Sequence, residues 1–328
     1  MPALPSADQT LPRFLEIARA LRAHGSLFED WSVLHLSAAS LPLVAGEPEA
    51  LARGLREHME ALRRGARWWK RLGGSMRAFA ATSLLQNDQG AGEFYAELER
   101  VRALFRRARL PRGSESEVLG FLVLRDLAPD ARVSPESVQR MGELYREIKK
   151  DHPWLLGAGE YPTLALLSAC DTPPAEIARR VEKILQRLEQ QGFRSRGRLI
   201  PIAQMLFLAP EADAVATARF EALWKEFGSR GLRMFASDYD EVALLCFAPR
   251  PAKEIVRRVL EHRAEIRRLK GRPGRDVSFS LACATAFLEL VGNDPRLRRI
   301  SRTQAALQVR SILVARQAAA VGAASAAS

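Results

Sequence analysis

Residues 163–193 read TLALLSACDTPPAEIARRVEKILQRLEQQGF: a short apolar run, a proline-marked turn, a long charged run and a glycine stop. In the long run, Ile177, Val181, Ile184, Leu185 and Leu188 recur at the 3.6-residue period. Arg179, Arg180, Lys183 and Arg187 lie off that stripe. This is the pattern of an amphipathic helix. The short run is apolar nearly all round, and its alanines and lack of β-branched alternation favour a buried helix over a strand. Together they form an αα-hairpin with a buried first helix and a half-exposed second one.

The same plan recurs along the chain. SPESVQRMGELYREIKK places Val138, Met141, Leu144, Tyr145 and Ile148 on one stripe, and EPEALARGLREHMEALRR does so with Leu51, Leu55, Met59 and Leu62. Each apolar segment holds a bulky residue followed by a small one: Phe79-Ala80, Leu119-Gly120, Leu164-Ala165, Ile202-Ala203, Val242-Ala243 and Leu281-Ala282. Successive small residues are 40, 45, 38, 40 and 39 positions apart, and Leu34-His35 precedes Ala80 by 45 with the small residue replaced. A hairpin of this kind cannot bury its own apolar face, so neighbours must stack. The expected fold is all-α: a right-handed α-solenoid of seven αα-hairpin repeats of about 40 residues, with Ala80, Gly120, Ala165, Ala203, Ala243 and Ala282 setting the register. One domain is expected over residues 1–316, with a capping helix near 11–23 and repeats over about 31–316. The alanine-rich residues 317–328 read as a frayed tail.

Local punctuation agrees with this division. Ser114-x-x-Glu117 and Ser237-x-x-Asp240 resemble capping boxes, in which a hydroxyl and a carboxylate each accept an orphan amide. Pro129, Pro173, Pro210 and Pro249 follow the apolar helices, and Gly113, Gly192 and Gly271 follow the amphipathic ones.

The 50 Lys+Arg exceed the 38 Asp+Glu, giving a net charge of +12. Residues 251–328 alone hold 15 basic and 6 acidic side chains, a net +9, so three quarters of the excess sits in the last quarter of the chain. Such polarity is a footprint of anionic partners, although arginine is also a good helix former. The 47% hydrophobic content excludes a disordered chain, and three cysteines exclude a disulfide framework. Charges interrupt every apolar run before it reaches the roughly 20 residues a membrane span requires. The opening MPALPSADQTLPRFLEIARA lacks the order of a secretory signal, so a cytoplasmic protein is expected.

No motif for phosphate cradling, zinc ligation or a nucleophile elbow occurs. The five histidines are scattered, and His152, before Pro153-Trp154, reads as a helix C-cap favoured by the dipole. Cys170, Cys246 and Cys283 take different offsets from the small-residue mark and are expected to be separate buried thiols. Asp238, Asp240 and Glu241 could pair as acid and base, yet helix initiation explains them. Tyr161 recurs as Tyr239, each after an acidic residue, which argues for a structural task. No cofactor, metal or catalytic residue is expected. Two binding candidates remain. Trp68 and Trp69 interleave with cations in RWWKR, and Arg257, Arg258, Arg268, Arg298 and Arg299 stand in the basic C-terminal region.

The arrangement MGELYREIKKDHPWLLGAGEYPTLALLSA, then VEKILQRLEQQGF, LIPIAQMLFLAP and YDEVALLCFAP, resembles the bacterial family catalogued as domain of unknown function 4003. The resemblance covers about residues 60–270 and rests on Leu144-Tyr145, six residues, His152, an acidic-Tyr turn and a later Gly-Phe. It implies a helical bacterial protein and carries no activity or functional residues. The expected function is that of a non-enzymatic scaffold or adaptor binding another protein. The alternative is a nucleic-acid-binding array using residues 251–316.

Overall fold

The chain buries its apolar segments by placing them in an inner layer of helices and wrapping the amphipathic ones outside. The computed structural model describes residues 5–23, 31–65, 72–87, 89–128, 130–269, 274–292 and 294. Trp68, Trp69, Arg298, Arg299, the 317–328 tail and any helix between 295 and 316 lie outside the described residues. Among the described residues there are fourteen α-helices and no strand. The outer ones are α1 (Thr10–Ala23), α3 (Pro48–Gly65), α5 (Ala91–Arg107), α7 (Pro135–Asp151), α9 (Pro174–Gln190), α11 (Asp213–Ser229) and α13 (Ala252–Ile266). The inner ones are α2 (Trp31–Ala38), α4 (Gly74–Asn87), α6 (Ser114–Leu127), α8 (Tyr161–Leu167), α10 (Arg196–Phe207), α12 (Tyr239–Leu245) and α14 (Arg275–Val291). The all-α expectation is met.

Each inner helix packs on the inner helices before and after it, and each outer helix on its outer neighbours. The series then closes, because α14 packs against both α1 and α2. This corrects the expectation of an open solenoid with a cap at one end: α1 is an outer helix of a ring, lying against α2, α3 and α14. Inner helices such as α8 and α12 have seven residues with small side chains at the contacts, whereas outer helices run to 17 or 18.

Ala80, Ala165, Ala203, Ala243 and Ala282 are all fully buried on inner helices. Gly120 is buried too, and a methyl group there would sit 2.9 Å from Tyr161 Cβ on the next inner helix. On α9, Ile177, Val181, Ile184, Leu185 and Leu188 are buried, as the stripe requires.

The connections that leave the inner helices form an exit rim, fastened by arginines from the outer helices. Arg13 donates to the carbonyls of Pro42 at 2.9 Å and Gly46 at 2.6 Å. Arg140 donates to the carbonyls of Cys170 and Thr172, and Arg219 to those of Ala248 and Arg250. Arg180 reaches Asp213 at 2.6 Å, and Arg100 donates to Val133 O. Each satisfies acceptors in the connection after the next inner helix, where helix-end carbonyls lack intrahelical partners. Arg140, Arg180 and Arg219 recur 40 and 39 positions apart.

The connections that lead into the inner helices form an entry rim, tied by other groups. The Tyr161 hydroxyl donates to Pro111 O, and the Arg194 amide donates to the Tyr239 hydroxyl at 3.3 Å. These equivalent ties give both tyrosines a task in holding neighbouring connections together.

Candidate functional site

The entry rim carries the most exposed large apolar side chain among the described residues. Helix α7 ends at Asp151, and His152 is its C-cap. The His152 carbonyl accepts the Leu155 and Leu156 amides, each at 3.3 Å, which turns the chain sharply. Leu156 is buried, whereas Trp154 is 95% exposed and Leu155 45% exposed. Beneath them, buried His152 sets its Nε2 2.9 Å from Glu182, and Glu182 meets Arg196 at 2.9 Å. Arg196 also meets Glu189 at 2.7 Å. On the far side, Glu160 accepts the Gly157 amide at 2.9 Å. The tip is therefore presented by a fastened connection.

Its flanks are basic. A methyl group at Gly113 would sit 2.6 Å from Ala158 Cβ, so the connection bearing Arg112 abuts the tip from one side. A methyl group at Gly197 would sit 3.9 Å from Leu155 Cδ2, which brings Arg194 and Arg198 against the other side. All three arginines are exposed, and none has a carboxylate within ion-pair distance among the described residues. Further round the rim, Phe235 is 40% exposed with the guanidinium carbon of Arg275 4.4 Å from its ring centroid.

The nominated C-terminal cations are arranged differently. Arg257 pairs with Glu261 at 2.6 Å, Arg258 with Glu261 at 3.1 Å and Glu289 at 3.0 Å, and Arg268 with Glu265 at 2.6 Å. Arg257 and Arg268 are exposed and Arg258 is half-buried, and each is compensated by a carboxylate on α13 or α14. The expected caps also shift by a residue or more. The Phe235 amide donates to Asp238 at 2.8 Å, so Asp238 rather than Ser237 closes that turn. Gly113 is the N-cap of α6, and its amide donates to Glu117 at 3.3 Å.

Groups with chemical potential elsewhere are buried inside the ring. His262, on α13, sets Nδ1 2.9 Å from Thr285 Oγ1 and Nε2 2.8 Å from Glu289 on α14. This has the order of a hydroxyl, an imidazole and a carboxylate, but Thr285 is fully buried in mid-helix and donates to Leu281 O at 2.8 Å. It fastens α14 to α13. Sequence reading left it unassigned, although His262 interrupts the apolar stripe of Ile255, Val259 and Ile266. Glu241 accepts from the Ser280 hydroxyl, and burial, reinforced by Asp240, pushes its carboxyl up to about 8. Buried Arg125 donates to Ser83 Oγ at 3.2 Å and lies over the Phe94 ring. Burial pushes the Cys246 and Cys283 thiols up, away from the nucleophilic thiolate. Among the described residues no three His, Cys, Asp or Glu side chains converge as a metal site, and no helix is long and apolar enough to cross a membrane.

Sequence reading passed over Trp154 as the neighbour of a C-cap. The available signal was a bulky aromatic beside a proline just past a helix end, where no core position is due. Trp68 and Trp69, between α3 and α4, belong in sequence to the same class of connection.

No curated protein and no solved structure matches the chain. A family model described as protein of unknown function (DUF4003) matches residues 121–318, a span that starts and ends later than the quoted motifs suggested. That match takes in the Trp154 tip and its Arg194 and Arg198 flank, covers more than half of the chain, and makes the chain a member of the DUF4003 family.

Proposed function

We propose that this protein is a non-enzymatic, cytoplasmic bacterial scaffold or adaptor, built from seven helical repeats, that binds another protein through its entry rim. One observation carries the proposal: Trp154 and Leu155 are exposed side by side on a connection fastened by His152, Glu182 and Glu160. Burying a Trp side chain in a partner releases a large apolar area from water, and tryptophan is enriched among interface hot spots. Because the tip is already held, little ordering entropy opposes docking. The nucleic-acid reading has less support, since Arg257, Arg258 and Arg268 each face a carboxylate of their own chain.

The test is quantitative affinity purification from the native host, with nuclease-treated lysate, of wild type, Trp154→Ala and Val215→Ala. Val215 is 52% exposed on α11 and serves as a control apolar site on the outer wall. The proposal expects at least one protein to be lost with Trp154→Ala and retained with Val215→Ala. A recovered set identical in all three samples refutes it. Trp154→Ala itself should change stability by less than about 0.5 kcal/mol, because almost none of the side chain is buried.

A further inference from the structure

We infer that the partner docking on the Trp154 tip presents an acidic segment: carboxylates for Arg112, Arg194 and Arg198 around an apolar side chain that covers Trp154 and Leu155. This rests on the reading of the entry rim as a protein-binding face. Position relative to the helices carries the argument. The outer helices end at this rim, and cations there, such as Lys149 and Lys150 on α7, answer the negative end of the helix dipole. Helix stability accounts for those residues. It does not account for Arg112, Arg194 and Arg198, which sit at the starts of inner helices α6 and α10, where the dipole is positive. Positive charge opposes folding there. Two neighbouring cations at inner-helix starts are neutralised: Arg196 by Glu182 and Glu189, and Arg275 by Asp238 and Asp276. Among the described residues the side chains of Arg112, Arg194 and Arg198 meet no carboxylate, as those of Arg109 and Arg233 elsewhere on this rim do not, and these three flank the tip that bears the most exposed large apolar side chain. A local rule broken without internal compensation is expected at functional positions.

An anion supplied by a partner resolves both features at once. Arginine favours planar acceptors that receive two parallel N–H donors, as a carboxylate does. A lipid surface fits less well. The free apolar side chains at the tip are one Trp and one Leu, and Phe235 is already stacked under Arg275, whereas stable lipid attachment takes more apolar depth or a second anchor. Nucleic acid fits less well too, because the free cations bracket an apolar tip rather than tracking a groove.

The experiment selects peptides from a random 12-residue phage library on the immobilised full-length protein at about 150 mM salt. Parallel selections use Trp154→Ala and the triple variant Arg112→Glu/Arg194→Glu/Arg198→Glu. Circular dichroism and urea midpoints are recorded for all three proteins. The inference expects enriched peptides with several Asp or Glu around an apolar residue, each losing about tenfold or more in affinity with either variant. It also expects the triple variant to fold with an unchanged or higher midpoint, since Glu suits a helix start. Peptides that need Trp154 but carry no acidic bias overturn the acidic partner and leave the protein-binding face standing. Selections in which no peptide depends on Trp154 overturn both. Sub-micromolar binding of phosphatidylglycerol vesicles or of a 20-nucleotide single strand, lost with the triple variant, overturns the acidic partner in favour of that anion. A lower midpoint for the triple variant also counts against the inference, because it shows that the arginines serve the fold.

Discussion

Adding one methyl group at each of three helical glycines separates contacts that hold the ring from contacts that merely touch. At Gly120 on α6, the new Cβ lies 2.9 Å from Tyr161 Cβ and 3.3 Å from Tyr161 Cδ2. Tyr161 cannot yield. Its Cβ hangs directly from the first residue of α8, its ring is fully buried, and its hydroxyl is tied to Pro111 O. The two inner helices must therefore part by several tenths of an ångström, an overpacking that costs about 1–3 kcal/mol. Alanine recovers about 1 kcal/mol over glycine in a helix interior, leaving a net loss of about 0–2 kcal/mol for Gly120→Ala. Gly142 on α7 meets Ala108 O at 2.8 Å and Ala108 Cβ at 3.0 Å, so it faces backbone and falls in the same class. Gly54 on α3 meets only Leu85, with Cδ1 at 2.9 Å, and Leu85 is a half-buried side chain whose far end can rotate away. Gly54→Ala should keep most of the helix-propensity gain, about 0.5–1 kcal/mol of stabilisation. Urea denaturation followed by circular dichroism measures the order. Gly54→Ala should have the highest midpoint, with Gly120→Ala and Gly142→Ala below wild type. A Gly120→Ala midpoint equal to or above that of Gly54→Ala refutes the tight approach of α6 and α8.

Arg219→Met leaves the Ala248 and Arg250 carbonyls without their charged donor and should cost about 1–3 kcal/mol in urea denaturation. Arg219→Lys should recover less than half of that, since an ammonium lacks the planar fork; full recovery refutes the latch. Glu241 is protonated inside the fold up to about 8 but ionises near the ordinary carboxylate range when unfolded, so the folded state holds the extra proton between those values. Its contribution is present at pH 4 and lost as pH rises through about 8, and Glu241→Gln should flatten that decline in a pH series of urea midpoints. His35 has the opposite sign: burial, aided by Arg22, lowers it to about 4, so its contribution is present above pH 6.5 and lost as pH falls toward 4. His35→Asn should remove that acid-side slope, and an unaltered profile refutes the burial argument.

The helices were legible because their signals are local. Ile177 to Leu188 form one stripe wherever the helix is placed, and Ala165 and Ala203 mark close contacts whatever the larger shape. Closure of the ring was not legible, because the packing of α14 on α1 and α2 joins segments far apart in the sequence and no local pattern carries it. The latches were half legible. Arg140, Arg180 and Arg219 share a period, but sequence alone does not say that a charged side chain on an exposed-looking face folds over to carbonyls of the next connection. The basic C-terminal quarter misled in the opposite direction. A count of charges along the chain is blind to the i,i+3 and i,i+4 carboxylates that compensate Arg257, Arg258 and Arg268. His152 was legible as a C-cap from its place after α7, but its pairing with Glu182, 30 positions later, was not.

Arginine outnumbers lysine about sixfold in this chain, and the ring divides those arginines by the carbonyls and carboxylates within reach. On the exit rim, Arg13, Arg140, Arg180 and Arg219 fold onto carbonyls or Asp213, where a lysine would leave acceptors unfilled. On and just after α13, Arg257, Arg258 and Arg268 pair with Glu261 and Glu265 at the surface, where such pairs contribute little. At the starts of α6 and α10 neither arrangement holds. The side chains of Arg112, Arg194 and Arg198 meet no acceptor among the described residues and stand against the local dipole. Composition alone would treat all of these as one basic surplus. Position within the ring separates the arginines that fold back onto the chain from a remainder that does not, and part of that remainder, Arg112, Arg194 and Arg198, stands beside Trp154. The acidic-partner inference follows from that remainder, not from the net charge of +12.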